Sequence, residues 1–406
     1  MSIAENHGGL YKNLRQLRET KGKAENNFFK SMGLDYLYIE NGHDFNELIE
    51  TFKKVKDITK PIVIHIHTLK GKGLEQAEAN KEKFHWVMPG VLDNKPIQEE
   101  ESYVSITKEY ILQKIQNDKT VLAISAATPG AYGFTPDFRE KLGKHYTDVG
   151  IAEEHAVAYA SAMAKCGAKP ILSILSSFSQ RAYDQLSQDL CLNNSPATIL
   201  LHWGGISGAD MTHLGCFDIP LISNIPNIVY LAPTCKEEYL AMLDWSVEQT
   251  KYPVAIRVPF GEFVSTGKEY AKDYSQLNKY LVTEQGKDVA IIALGNFYQL
   301  GETVKKRLYA ETGINATLIN PRYVTGIDED VLNKLKSEHK LVVTLENGVL
   351  DGGYGEKISR FYGASDVKVL NFGAKKEFTD RVSVSELYER YHLTPDLIVD
   401  DIKKML

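Results

Sequence analysis

The chain has 406 residues, with 47 Lys+Arg against 53 Asp+Glu, a net charge of −6; hydrophobic residues make up 43% and charged residues 25%. That length suits two or three domains, each with its own core, and the composition is that of a globular protein. Net negative charge argues against a nucleic-acid surface, and no apolar run approaches the roughly 18 residues of a membrane helix. The four cysteines (Cys166, Cys191, Cys216, Cys235) are scattered with no C-x-x-C pair, which reads as reduced thiols and not a disulfide or zinc frame. The polar start shows no signal peptide, so the cytoplasm is the expected compartment.

Three α/β segments follow in chain order. In the first, apolar spacing predicts a helix over 45–55, and Pro61-Ile-Val-Ile-His-Ile-His67 reads as a buried strand. That strand runs into a glycine-rich turn, Thr68-Leu-Lys-Gly-Lys-Gly73, and the polar stretch 91–101 reads as a linker. In the second, strands are predicted at 121–125, 169–175, 197–202, 227–231 and 254–258, with helices at 153–164, 180–192 and from 236. In the third, strands at 288–293, 316–319, 340–345 and 367–370 alternate with helices starting at 300, 328 and 355. Alternation of this kind predicts α/β domains with doubly wound parallel sheets, with ligands outside the carboxyl ends of the strands. The expected boundaries are 1–92, 102–265 and 279–406.

Three motifs fall in such loops. Asp148-Val-Gly-Ile-Ala-Glu-Glu-His-Ala156 sets two carboxylates and a histidine at a helix start, where acids also occur simply because the helix dipole favours them. Ser176-Ser-Phe-Ser-Gln-Arg-Ala-Tyr-Asp-Gln185 directly follows a strand and could be an ordinary capped helix with a solvated Arg-Asp pair. Gly204-Gly-Ile-Ser-Gly-Ala-Asp-Met-Thr-His-Leu-Gly215 suits a backbone that approaches a ligand closely, or a flexible loop.

In this order the motifs resemble the 1-deoxy-D-xylulose-5-phosphate synthase family of the transketolase superfamily. Ile151-Ala-Glu-Glu-His-Ala156 is similar to the family's I-A-E-Q-H-A, and Phe178-Ser-Gln-Arg-Ala-Tyr-Asp-Gln185 to its F-x-Q-R-A-Y-D-Q. Weaker echoes are Met1-Ser-Ile with Gly8-Gly-Leu10, Gly42-His-Asp44, 65–73, Phe84-His85, Glu346-Asn347 and Gly352-Gly353. The resemblance implies a transketolase-like fold: the tail of a diphosphate-binding domain, a pyrimidine-binding domain and a C-terminal domain. It implies a thiamine-diphosphate-dependent carboligase that decarboxylates pyruvate and passes the two-carbon unit to an aldehyde such as glyceraldehyde 3-phosphate, working as a homodimer. Glu153 matches the glutamate that activates the cofactor from an apolar pocket, and Phe178 the ring on which the pyrimidine stacks. Arg181 and Lys70 would lie near the cofactor. His85, Asp210 and His213 match residues near the substrates, where proton transfer and hydroxyl recognition are needed.

The sequence also departs from the family. The Gly-Asp-Gly motif and following Asn that hold Mg²⁺ and the diphosphate are absent, leaving at most the Met1 carbonyl as a metal ligand. A separate N-terminal subunit is one expectation and a non-catalytic truncated fragment another. Trp203 and Phe260 stand where the family has arginines that grip the acceptor's phosphate, and Leu175 replaces a tyrosine. Either another cation such as Arg257 takes over the phosphate, or the acceptor differs, as in a split transketolase-like enzyme. The 208–213 loop is one residue shorter than the family's, and the connection 10–33 lacks a long insertion.

Overall fold

The computed structural model describes residues 8–85, 87 and 100–406. The Met1 carbonyl and most of the expected linker lie outside the described residues. The chain forms two compact units, 1–99 and 100–406.

In the first unit, strands β1 (Asp35–Ile39) and β2 (Ile62–Ile66) pair in parallel with Asp35 opposite Ile62. The intervening helix Phe45–Val55 falls where its apolar spacing predicts, and its first turn is fixed by Asp44, whose carboxylate accepts from the Asn46 and Glu47 N–H groups. β2 is half-buried along its length, not buried as expected, because a two-stranded sheet gives it little cover. His65 Nδ1 and the Tyr36 hydroxyl lie 2.7 Å apart across the pair. β2 delivers the glycine-rich turn that carries Lys70 at its carboxyl end.

The second unit holds two sheets. The first contains β3 (Val121–Ser125), β4 (Tyr146–Asp148), β5 (Lys169–Leu175), β6 (Thr198–His202), β7 (Val229–Leu231) and β8 (Val254–Arg257). All six are parallel, in the order β4-β3-β5-β6-β8-β7. From β3 the chain moves outward to β4 and then back across to β5, so the order reverses between β3 and β5. The three-residue β4, absent from the sequence expectation, occupies that edge. The helix expected over 180–192 is irregular: a 3₁₀ stretch, Ser176–Ala182, a short α turn, Tyr183–Gln185, and a π stretch, Leu186–Cys191. The Ser179 hydroxyl donates to the Ser176 carbonyl at 2.7 Å, competing with regular helix bonding.

The second sheet is β13-β12-β10-β11-β9, from β9 (Leu281–Glu284), β10 (Asp288–Ala293), β11 (Thr317–Asn320), β12 (His339–Val349) and β13 (Lys368–Ala374). It is not wholly parallel. β9 runs antiparallel to β11, because only residues 285–287 join β9 to β10 and a parallel crossover needs a dozen residues or more. β12 outruns its expected end and carries Glu346 and Asn347 into the interior. One core passes through both sheets: Ile124, Leu172, Ile199 and Tyr230 belong to the same cluster as Ala290, Ile292, Val342 and Tyr354. Burial of these side chains, each contributing roughly 1.5–3 kcal/mol for a large aliphatic or aromatic group, holds the sheets together. Backbone bonds reinforce the join, with Ala232 N–H donating to the Arg322 carbonyl and Val324 N–H to the Tyr230 carbonyl, both at 2.8 Å.

Candidate active site

Glu153 is placed by a turn that Asp148 organises. At the end of β4, the Asp148 carboxylate accepts from the Ser125 hydroxyl (2.7 Å), the Gly150 N–H (2.8 Å) and the Ala127 N–H (3.2 Å). The chain turns over the sheet and starts the helix Glu153–Lys165 with no capping side chain at Ala152. Glu153 therefore sits at the positive end of a helix, 2% exposed.

The second motif reaches it from β5. Arg181 Nη1 donates to both oxygens of Glu153, at 2.9 and 3.1 Å. The guanidinium carbon also lies 4.9 Å from the centre of the Phe178 ring, within cation–π range. The sequence reading put Glu153 in an apolar pocket; the structure buries it against a cation. The third motif adds His213, whose ring centre is 5.3 Å from that of Phe178. His213 Nδ1 is 3.1 Å from Asp210 Oδ1, and a carboxylate only accepts, so Nδ1 carries the proton. Hydrogen bonds from the Thr212 hydroxyl, from His213 and from the Thr212 N–H hold the Asp210 carboxyl well below the usual range. Five of the sequence-selected residues thus form one continuous line: Glu153, Arg181, Phe178, His213, Asp210.

Lys70 and His85 form a separate pair in the first unit, with Lys70 Nζ against His85 Nδ1. Arg257 is placed differently from the other selected residues. Expected to bind substrate, it is 4% exposed and committed inside the protein. Its Nε and Nη2 donate to Asp218 at 2.6 and 3.0 Å, and Nη2 also donates to the Asn347 carbonyl at 2.5 Å. Burial opposes its charge, but fully buried Asp218 outweighs burial and raises its pKa. Sequence reasoning missed Asp218, which no motif marks, and His202, whose imidazole burial pushes down to about 3. Neutral His202 packs 4.7 Å from the Tyr132 ring. Trp203 follows with a left-handed φ of 59° and lies 6.0 Å from Phe260, so the two residues at the expected arginine positions form an aromatic pair.

A buried carboxylate beside a half-buried aromatic ring fits the pyrimidine end of thiamine diphosphate. Among the described residues no group of three or more His, Cys, Asp or Glu is placed to hold a metal. No described helix is long and apolar enough to cross a membrane, and all four cysteines are free.

Three family descriptions match the chain: "1-deoxy-D-xylulose-5-phosphate synthase" over 2–68, "Transketolase, pyrimidine binding domain" over 102–263 and "Transketolase, C-terminal domain" over 278–398. The 1-deoxy-D-xylulose-5-phosphate synthase of Clostridium tetani is 35% identical over 407 residues, covering 98% of this chain and 65% of that protein. The synthase of Halothermothrix orenii is 36% identical, covering 93% of this chain and 60% of that protein. The chain thus spans 60–65% of the length of these relatives. Among solved structures, a split-gene transketolase described as an inactive β4 tetramer aligns with a TM-score of 0.64 at 22% identity, over 75% of this chain and 98% of that one. Transketolase from Pichia stipitis with sedoheptulose 7-phosphate aligns at 0.61 and 16%, over 75% of this chain and 46% of that one. At such identities the structures support the fold alone. Both transketolase domain descriptions match, and these relatives align along nearly the whole of this chain: it carries the pyrimidine-binding and C-terminal domains of transketolase and is similar to the 1-deoxy-D-xylulose-5-phosphate synthases over the 60–65% of their length that it spans.

Proposed function

We propose that this chain forms the pyrimidine-binding and C-terminal part of a thiamine-diphosphate-dependent carboligase acting on pyruvate and an aldehyde. The observation that carries the reading is Glu153, buried at a helix start, paired with Arg181 and one step from the Phe178 face. Bound thiamine diphosphate supplies the carbanion chemistry that amino-acid side chains lack. Glu153 would hold the pyrimidine ring of the cofactor through its carboxylate and would keep a proton there. Phe178 offers the ring a flat apolar face, and Arg181 fixes the carboxylate's orientation. His213, with Nδ1 tied to Asp210, keeps Nε2 as the atom that would give or take a substrate proton. Lys70 and His85 are assigned to the cofactor and substrate sides of the same chemistry by the family resemblance. Mg²⁺, homodimer formation and a cytoplasmic location rest on the same resemblance, with the metal's ligands supplied from outside the described residues.

A split-enzyme reading is favoured by the likeness to a split-gene transketolase subunit, 98% of which this chain covers. A changed acceptor is favoured by Arg257: its guanidinium is spent on Asp218 and Asn347, so it does not replace the lost phosphate grip beside Trp203 and Phe260. The test is proton exchange at the cofactor's thiazolium carbon, with Mg²⁺, in the chain combined with a half-domain carrying the Gly-Asp-Gly ligands. Glu153→Gln slows exchange by at least about 100-fold. Wild-type exchange in that variant returns Glu153 to a helix-start acid, and no cofactor binding by the combined protein supports the non-catalytic fragment.

A further inference from the structure

The loop carrying Asp210 and His213 grows from β6, in the first sheet of the second unit, yet much of what holds it comes from the second sheet. Its base is closed by a bridge between Gly205 and Gly215. Gly205 has φ +113°, and a Cβ there would stand 2.6 Å from Asn347 Nδ2, so the backbone at this point lies directly on the Asn347 amide. Asn347 Oδ1 accepts from the Ile206 N–H at 2.8 Å in a fully buried bond, and its Nδ2 donates to Asn296 Oδ1 at 3.3 Å. Two further backbone bonds come from the same domain: Arg381 N–H donates to the carbonyl of Ala209, the residue before Asp210, and Val349 N–H to the Cys216 carbonyl. Asn347 is itself anchored, since its carbonyl accepts from Arg257, whose other bonds go to Asp218.

We infer that Asn347 is a positioning residue for the Asp210–His213 pair: it pins the loop's first turn so that the short segment 207–213 presents His213 to Phe178. The physical reason is that 204–213 carries three glycines and so orders poorly by itself. A buried side-chain amide with a fixed carbonyl is a rigid support, whereas a solvent-facing one is not. Asn347 touches no reacting atom in this arrangement; it acts through Ile206 and the loop. The inference rests on the reading of Asp210 and His213 as site residues, but its test uses neither cofactor nor substrate, so the two fail separately.

The experiment is nitrogen-15 NMR of histidine-labelled full-length chain, with the His213 signals identified by their loss in His213→Gln, alongside hydrogen exchange of the loop. The Nδ1-protonated form of His213 dominates in the wild type. In Asn347→Ala it becomes a mixture of tautomers, and amides 209–213 exchange at least about tenfold faster while the sheets' amides keep their protection. Asn347→Asp, which keeps an acceptor for the Ile206 N–H, restores the wild-type tautomer. Should Asn347→Ala not fold, Gly205→Ala disturbs the same contact from the loop side and produces the same change at His213. An unchanged His213 signal and unchanged exchange at 209–213 in either folded variant overturns the proposal and leaves Asn347 a domain contact only.

Discussion

Replacing Arg257 by methionine separates a structural strut from a substrate-gripping cation. Arg257 is 4% exposed and Asp218 is fully buried. The substitution removes the bonds to Asp218 at 2.6 and 3.0 Å and the bond to the Asn347 carbonyl, leaving Asp218 with the Tyr230 hydroxyl at 2.7 Å as its remaining side-chain donor. Methionine fills most of the volume, so the loss is electrostatic. Stranding a buried charge by removing one partner costs about 3–5 kcal/mol. At roughly 2 °C per kcal/mol for a unit of this size, the melting midpoint falls by about 6–10 °C. The assay is thermal unfolding by circular dichroism near neutral pH, with Arg257→Met/Asp218→Leu measured beside the single variant. The double variant strands no charge and regains at least about half the loss. A drop below about 2 °C for Arg257→Met refutes the strut and returns Arg257 to the pool of cations available to an acceptor's phosphate.

Two further outcomes follow, one from a buried carboxyl and one from the acceptor end. Burial pushes the Glu346 carboxyl from 4.5 up to about 7, against hydrogen bonds from the Gly355 and Tyr354 N–H groups. Its folded pKa exceeds its unfolded one, so its contribution is fully present below pH 4.5 and is lost as pH rises through 7; relative to Glu346→Gln, the wild type loses on the order of 3 kcal/mol between pH 4 and 8 in urea titrations, and parallel curves for the two proteins contradict this. At the acceptor end, two lost phosphate contacts of roughly 1.5–3 kcal/mol each leave kcat/KM for glyceraldehyde 3-phosphate over glyceraldehyde on the order of ten or less in the reconstituted enzyme, rising in Trp203→Arg/Phe260→Arg; a wild-type preference above about a thousandfold rules the idea out.

What the sequence makes legible is set by burial. Strands covered on both faces, such as Lys169–Leu175, Thr198–His202 and Asp288–Ala293, read as nearly unbroken apolar runs, and each lies where the pattern puts it. β4 and β9 carry no such run: Tyr-Thr-Asp and Leu-Val-Thr-Glu sit at sheet edges, half-buried or exposed, and are defined by pairing alone. The irregular turn after β5 was equally hidden, since its apolar residues keep helical spacing while the backbone winds as 3₁₀ and π.

The site divides along a different line. Residue types that chemistry demands stand out locally, so Glu153, Phe178, Arg181, Asp210 and His213 can be picked from motifs and the structure brings all five together. Pairing is not local. Arg181 finds Glu153 across 28 residues, Arg257 finds Asp218 across 39, and Arg257 reaches the Asn347 carbonyl across 90. One-dimensional reading treats every arginine as equally free to meet a ligand, and only the fold decides which charges are already spent. Arg181 is half-exposed beside an aromatic ring, whereas Arg257 is almost wholly buried. The family resemblance marks both positions alike; desolvation and partner count leave Arg181 a cation that a ligand can reach and make Arg257 a structural strut.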